Sequence, residues 1–226
     1  MTTSAELAGR LTAVGRELHA RGWATGTSGN FSAVLARDPL RLLISQSGVD
    51  KGELVPDQVL EVDEAGVVTS GTGRPSDETV VHLAIVRERG AGAVLHTHSV
   101  WNTLLSEAAG DGGGLDLEGF EMLKGLSGVA THEHVERVPV VENTQDYARM
   151  ATEVRRALAL YPRAHGLLLR GHGLYAWGRD LAEAKRHVEI LEFLFEVVGR
   201  IYSATGRLRA PRATVGEGRG GSDGDS

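Results

Sequence analysis

"GAGAVLHTHSVWN", residues 90–102, decides how the rest of the chain is read. An apolar run ends in two histidines one residue apart. If the run is a β-strand, alternate side chains share a face, so His96 and His98 project together while Thr97 points away. Two neutral imidazoles on one face can grip one cation. A lone H-x-H is more often a pair of hydrogen-bonded polar residues at a strand end, so the question becomes what else converges on it.

Around this strand the chain alternates between the two periodicities. Thr3 and Glu6 have capping-box spacing, Leu7, Leu11, Val14 and Leu18 form a stripe, and Gly22 is a stop, which predicts a first amphipathic helix. "FSAVLA" and "LRLLIS" are expected as strands, and residues 59–70 as a hairpin turning near Ala65 and Gly66. A helix from about Asp77 to Arg89, capped by Ser76, leads into the H-x-H strand. Beyond it the pattern predicts a helix over 100–110, a loop at the glycines 112–114, a short helix over 118–126 and a strand over 138–141. A helix over 143–162, two short strands around Gly171-His172-Gly173, and a long helix opened by Asp180 and Glu183 through about Ala204 complete the chain. Strands in succession without long crossovers favour antiparallel pairing, in an α+β or mixed three-layer α/β domain.

Composition narrows the chemistry. The 226 residues are 41% hydrophobic and 24% charged, the range of an ordinary globular protein with one large core. A formal net charge of −6 argues against nucleic acid or an anionic membrane as partner. The absence of cysteine excludes disulfides, thiolate ligands and cysteine nucleophiles, leaving His, Asp and Glu to hold a metal. With no signal-like or membrane-spanning stretch, the chain is expected to be cytoplasmic. A single domain over 1–206 and a flexible Gly/Ser-rich tail over 207–226 are expected.

His172, flanked by two glycines, joins His96 and His98 as the third member of a three-imidazole set of the kind catalytic zinc uses. His19, His134 and His187 are read as lying in solvated segments, and His82 and His165 as packing groups or supports for other side chains. Three segments, "GTSGN" at 26–30, "SQSGVDKG" at 45–52 and "RPSDE" at 74–78, offer backbone N–H groups, hydroxyls and Lys51, enough for one phosphate. Nothing matches a nucleotide loop. Glu78 and Glu121 are the candidate proton carriers, and the pattern alone does not choose between them.

Together "TSGN", "SGVDKG", "PSDE", "HTHS" and "GHGLYAWG" resemble the class II, zinc-dependent sugar-phosphate aldolase/epimerase/adducin superfamily, over about residues 5–205. Within it, "GTSGNFS", "SGVDKGEL", "HTHSVWNTLLS", "EMLKG", "ENTQD" and "RGHGLYAWG" are most similar to the methylthioribulose-1-phosphate dehydratases of methionine salvage. The resemblance implies a class II aldolase-like three-layer fold, a mostly antiparallel or mixed sheet flanked by helices, one Zn²⁺ per subunit, and a homotetramer with sites near subunit interfaces. It carries zinc ligation onto His96, His98 and His172, and proton transfer onto Glu121 with Glu78 as adjunct. Phosphate contacts fall on Thr27, Gly29, Asn30, Ser47, Gly48 and Ser76, with Lys51 as a weaker addition. "NFSAVLARD" lacks the arginine common two residues after the serine in this family. The implied reaction is dehydration of a small sugar phosphate; an aldolase or epimerase, or an adducin-like binding module, are the alternatives. Trp101, Phe120 and Tyr175 are candidates for a methylthio pocket, with core packing as the commoner fate of each.

Overall fold

The computed structural model describes residues 3–110 and 113–208. The expected tail therefore lies outside the described residues apart from Arg207 and Leu208, and residue 112 of the glycine run lies outside them too. The described residues form a nine-stranded sheet between two helical layers. In chain order the elements are α1 (Ser4–Ala20), β1 (Asn30–Arg37), β2 (Leu40–Ser45), β3 (Val59–Asp63), β4 (Val68–Ser70), α2 (Thr79–Arg89) and β5 (Ala93–Thr97). There follow α3 (Val100–Ala108), β6 (Gly114–Glu118), β7 (Val135–Val141), α4 (Tyr147–Leu160), β8 (Gly166–Leu169), β9 (Gly173–Gly178) and α5 (Leu181–Thr205). The strand order is β4-β3-β2-β1-β5-β9-β8-β7-β6. Only β7 and β8 run parallel, joined through α4; the other pairs are antiparallel.

Alternation along the strands builds two cores. Phe31, Leu43, Leu95 and Leu174 meet Leu11 and Leu18 of α1, Leu105 of α3 and Leu191 and Phe195 of α5. Leu42, Ile44, Val94 and Tyr175 meet Val81 and Ile85 of α2 and Val154 and Leu158 of α4. Each fully buried leucine contributes about 1.5–3 kcal/mol of transfer free energy, so moving any strand by one residue would expose a whole row of them. That register is what aims the histidines.

Several boundaries differ from the sequence-based expectation. The helix expected from Asp77 begins at Thr79, and Ser76 does not cap it: the Ser76 hydroxyl accepts from the Glu78 N–H at 3.2 Å and its carbonyl from Thr79 at 3.0 Å. This turn leaves Glu78 at the helix mouth, with its side chain free to reach inward. Helix α4 starts at Tyr147 because Asp146 accepts the Arg149 N–H at 3.0 Å, so residues 143–146 stay outside the helix. The segment expected as loop and helix contains β6, whose Leu115 and Leu117 are buried while Asp116 faces outward. Here period-2 alternation outweighs the glycines, and a 3-10 turn at Glu121–Gly125 replaces the helix. The hairpin at 59–70 turns as expected, with Gly66 N–H to the Asp63 carbonyl at 3.0 Å. No helix among the described residues is long and apolar enough to cross a membrane.

Candidate metal centre

The strand end and the glycine turn bring three imidazoles together. His96 ends β5 with its neighbour Thr97, His98 follows directly, and His172 sits in the β8–β9 turn. Residues 96 and 172 are 76 positions apart, yet their Nε2 atoms are 3.4 Å from each other, and His98 Nε2 is 2.8 Å from His96 Nε2. The ligand atoms of the three all lie within 4.8 Å of one another. Two nitrogens bound at 2.0–2.1 Å to one tetrahedral ion would be about 3.3 Å apart, so a small outward movement of His98 meets that requirement.

Local sequence explains the aim. A side chain at position 173 is excluded, because a Cβ there would come within 2.3 Å of the Thr97 carbonyl and 3.0 Å of the His96 ring. Gly171 has φ +60°, which turns the backbone so that His172 faces β5. His96 Nδ1 donates to the Leu174 carbonyl at 2.9 Å, which fixes the tautomer and leaves the Nε2 lone pair pointing into the cluster. The ring also stacks on Tyr175, with centroids 3.9 Å apart. Tyr175 is thus fully buried against His96, and Trp101 packs on Gly199, close enough that a Cβ there would meet its ring at 2.4 Å.

The electrostatics favour neutral rings. Burial, then the other two imidazoles, push His96 far down; burial and the charges of His172 and Lys51 bring His98 down to about 4. Burial also lowers His172, against the opposing charge of Glu78. One buried and two half-buried imidazoles, deprotonated at neutral pH and with their lone pairs facing each other, suit a divalent transition ion. The Nδ1 of His172, unlike that of His96, is buried without a hydrogen-bond partner, so no hydrogen bond of the chain sets this ring's tautomer. The set fits the metal that the resemblance implies.

Glu78 belongs to this cluster. Its carboxylate lies 3.2 Å from His172 Nε2 and 3.6 Å from His96 Nε2, and it accepts from Asn30 Nδ2 at 2.6 Å. Asn30 is the register partner of His96 across β1 and β5. Its amide is oriented from behind: His82 Nε2 donates to Asn30 Oδ1 at 2.5 Å, and His82 Nδ1 pairs with the Ser32 hydroxyl at 2.7 Å. His82 is fully buried, and burial brings it down to about 3, so it stays neutral. This Ser32–His82–Asn30–Glu78 chain was not legible in the motif pattern. The hints are the reading of His82 as a packing or supporting group and the alternation that puts Asn30 and Ser32 on one face of β1.

The three anion-cradle segments also meet. Ser47 N–H donates to the Arg74 carbonyl at 2.9 Å, Gln46 bridges to Pro75, and Asn30 Nδ2 reaches Ser76 Oγ at 3.4 Å. Gly29 and Gly48 have φ +75° and +74°, and a Cβ on Gly29 would meet the His96 carbonyl at 2.8 Å, so these loops abut the strand that carries His96. Lys51, expected as a weaker phosphate contact, turns inward. It is buried and donates to the carbonyls of Thr27 at 3.1 Å and Val49 at 2.9 Å, and burial brings it down to about 8. Its ammonium thus ties the first cradle loop to the second.

Glu121 lies elsewhere. It is exposed on the 3-10 turn, bonded to Lys124 at 2.6 Å and 3.8 Å from His132, with no contact to the triad within the chain. The Lys124 hydrogen bond and charge hold its carboxyl below the usual range. His187, expected in a solvated segment, is buried on α5, because that helix packs apolar side chains along most of its length.

Comparison with known proteins agrees with this geometry. A family model described as the class II aldolase and adducin N-terminal domain matches residues 9–198. A protein of Marinobacter nauticus named methylthioribulose-1-phosphate dehydratase is 44% identical over 197 residues, covering 87% of this chain and 94% of that one. A Pseudomonas aeruginosa protein of the same name is 44% identical over 190 residues, 84% and 91% of the two chains. Among solved structures, the L-fuculose-1-phosphate aldolase of Thermus thermophilus superposes with TM-score 0.66 at 30% identity, covering 89% of this chain and 97% of that one. The chain belongs to the class II aldolase and adducin N-terminal domain family.

Proposed function

We propose that this chain is a zinc-dependent hydro-lyase that converts 5-methylthioribulose 1-phosphate to 2,3-diketo-5-methylthiopentyl 1-phosphate and water, in the methionine salvage pathway of the cytoplasm. The observation that carries the reading is the meeting of His96, His98 and His172 beside Glu78, at the edge of three linked glycine and serine loops. The names of the relatives, matched over most of both chains, support the choice of substrate.

His96, His98 and His172 would hold one Zn²⁺ per subunit. When bound, the ion supplies Lewis-acid polarisation of the substrate's carbonyl and hydroxyl oxygens. The N–H groups of Gly29 and Gly48, the hydroxyls of Thr27, Ser47 and Ser76, and the amide of Asn30 bind the phosphate, with Lys51 bracing the loops. Holding that end keeps the reacting carbons in register. Loss of water requires a base for the C3 proton and an acid for the departing C4 hydroxyl. Glu121 is assigned the acid/base role, and Glu78, held by Asn30, keeps a second carboxylate beside the histidines.

Glu121 does not contact the triad of its own chain, and its exposed seat suits delivery to a neighbouring subunit of a homotetramer. Mixing Glu121→Gln and His172→Ala subunits should then restore activity that neither variant has alone. Zinc-loaded protein given the substrate should release the diketone, and Glu121→Gln should lose about 10²- to 10⁴-fold while retaining zinc. Near-normal dehydration by Glu121→Gln would refute the assignment. The seat of Glu78 at the histidines favours a second reading, an aldolase or epimerase that uses this carboxylate; cleavage or inversion products in place of the diketone would establish it. An adducin-like binding module would be revealed by negligible metal content.

A further inference from the structure

Away from the metal centre, a second group of titratable side chains surrounds Ser127, two residues beyond the turn that carries Glu121. We propose that His165 and His187 are positioning residues that grip Ser127 from two sides and so hold the Glu121–Gly125 turn in place for the reaction. The inference rests on the reading of Glu121 as acid/base.

Ser127 has its polar groups engaged on every side. Its N–H donates to His187 Nε2 at 3.1 Å, so that nitrogen is an acceptor; the ring proton must be on Nδ1, which donates to the Trp177 carbonyl at 2.6 Å. On the other side the Ser127 carbonyl accepts from His165 Nε2 at 2.8 Å, while His165 Nδ1 faces Glu136 Oε2 at 3.0 Å. A carbonyl and a carboxylate are both acceptors, so His165 donates from both nitrogens and is an imidazolium. The Ser127 hydroxyl bonds to Glu183 Oε1 and accepts from Arg186 Nη2 at 2.8 Å. One charged ring and one neutral ring, 4.8 Å apart, therefore hold a single residue, each with its protonation state set by its partners.

Other groups complete the charge balance. Glu136 on β7, with its side chain 1% exposed, also accepts from the His165 N–H at 2.9 Å and from His134 Nε2 at 2.9 Å. From the α5 side, Glu183 faces the pair, with Arg186 and the Arg179 N–H, 2.7 Å from Glu183 Oε2, on its flank. The turn itself is seated by apolar contact: Leu123 and Leu126 are buried, and a Cβ on Gly125 would come within 2.5 Å of Ile190 Cδ1 on α5. Ser127 is the polar fastening at the end of that seat. A carboxylate on so short a turn is placed by what anchors the turn, because its own contacts, Lys124 and His132, are exposed.

The test uses the metal-loaded full chain carrying His187→Ala, His187→Leu or His187→Gln, alone and combined with Glu121→Gln. The glutamine Oε1 can take the place of Nε2 as acceptor for the Ser127 N–H. His187→Ala should lower kcat about a hundredfold with KM and metal content unchanged. Amide hydrogen exchange should rise over 119–129, and His187→Gln should recover most of both. In the Glu121→Gln background, His187→Ala should cost nothing further. Unchanged kcat and exchange in His187→Ala, with Glu121→Gln inactive, would overturn the positioning role, as would an equal further loss in the double variant. If Glu121→Gln is itself active, the acid/base reading fails first, and faster exchange without loss of kcat shows that the fastening serves the fold alone. Should His187→Ala fail to fold, His187→Leu, which keeps bulk at that position but offers the Ser127 N–H no acceptor, carries the same comparison.

Discussion

The molecule holds two groups of three histidines, and they have opposite characters. In His96, His98 and His172 the Nε2 atoms point at one another, and burial keeps the rings neutral, His98 at about 4. In His134, His165 and His187 the nitrogens point at a carboxylate, two carbonyls and a serine. There burial, which would lower His165, is outweighed by the hydrogen bond and charge of Glu136, and the ring is raised. Partial or full burial is common to both groups. What a buried imidazole becomes depends on what its nitrogens face: lone pairs facing lone pairs call for a cation, and donors facing acceptors make a brace.

The largest effect expected from breaking this contrast is at the metal centre. His172→Ala should lose bound metal and lower turnover on the order of 10³-fold or more, because Lewis-acid stabilisation worth several kcal/mol disappears at about 1.4 kcal/mol per tenfold. Metal analysis of His165→Gln under the same conditions should show full occupancy; loss there would mean that the two groups are not independent. Next, Glu136→Gln leaves the His165 cation buried without its counter-charge and should cost about 3–5 kcal/mol in denaturant unfolding, with metal content intact. A cost under about 1 kcal/mol would show that His165 is neutral.

Smaller effects come from pH. His165 is raised, so its stabilisation is complete below 6.5 and is lost as pH rises through its folded value. Glu136 is lowered, burial notwithstanding, by hydrogen bonds from His165 and His134; its stabilisation is present above 4.5 and is lost as pH falls through its folded value. His187 is lowered by burial, so protonation of the unfolded chain below 6.5 adds to the acid loss. Melting temperature against pH should decline on both sides of neutrality, and His165→Gln should remove part of the alkaline decline. An unaltered alkaline limb would contradict the imidazolium. Smallest of all, Arg200→Ala breaks an exposed pair with Glu196 outside both groups and should change stability by less than about 0.5 kcal/mol.

Much of this was legible before any coordinates. Period-3.6 and period-2 patterns located the five helices and eight of the nine strands, and missed β6 because Gly113 and Gly114 read as a loop. Gly114 is there for another reason: a Cβ would meet the Val138 carbonyl at 2.5 Å. The H-x-H and G-H-G motifs identified the three imidazoles, since with no cysteine few other ligands remained. The linkage behind Glu78 was not legible: Asn30 was read as a phosphate contact and His82 as a packing or supporting group, and no motif joins them to Ser32 and Glu78.

The sequence by itself determined which faces are apolar, which residues are candidates to bind a cation or a phosphate, and the family. Those follow from local periodicity and residue chemistry, which each segment carries on its own. Tertiary structure alone decided which carboxylate sits at the histidines, that Lys51 turns inward, and that His187 and His165 close on one serine. Such pairings join residues tens of positions apart, and they depend on strand order and register, which no single segment contains.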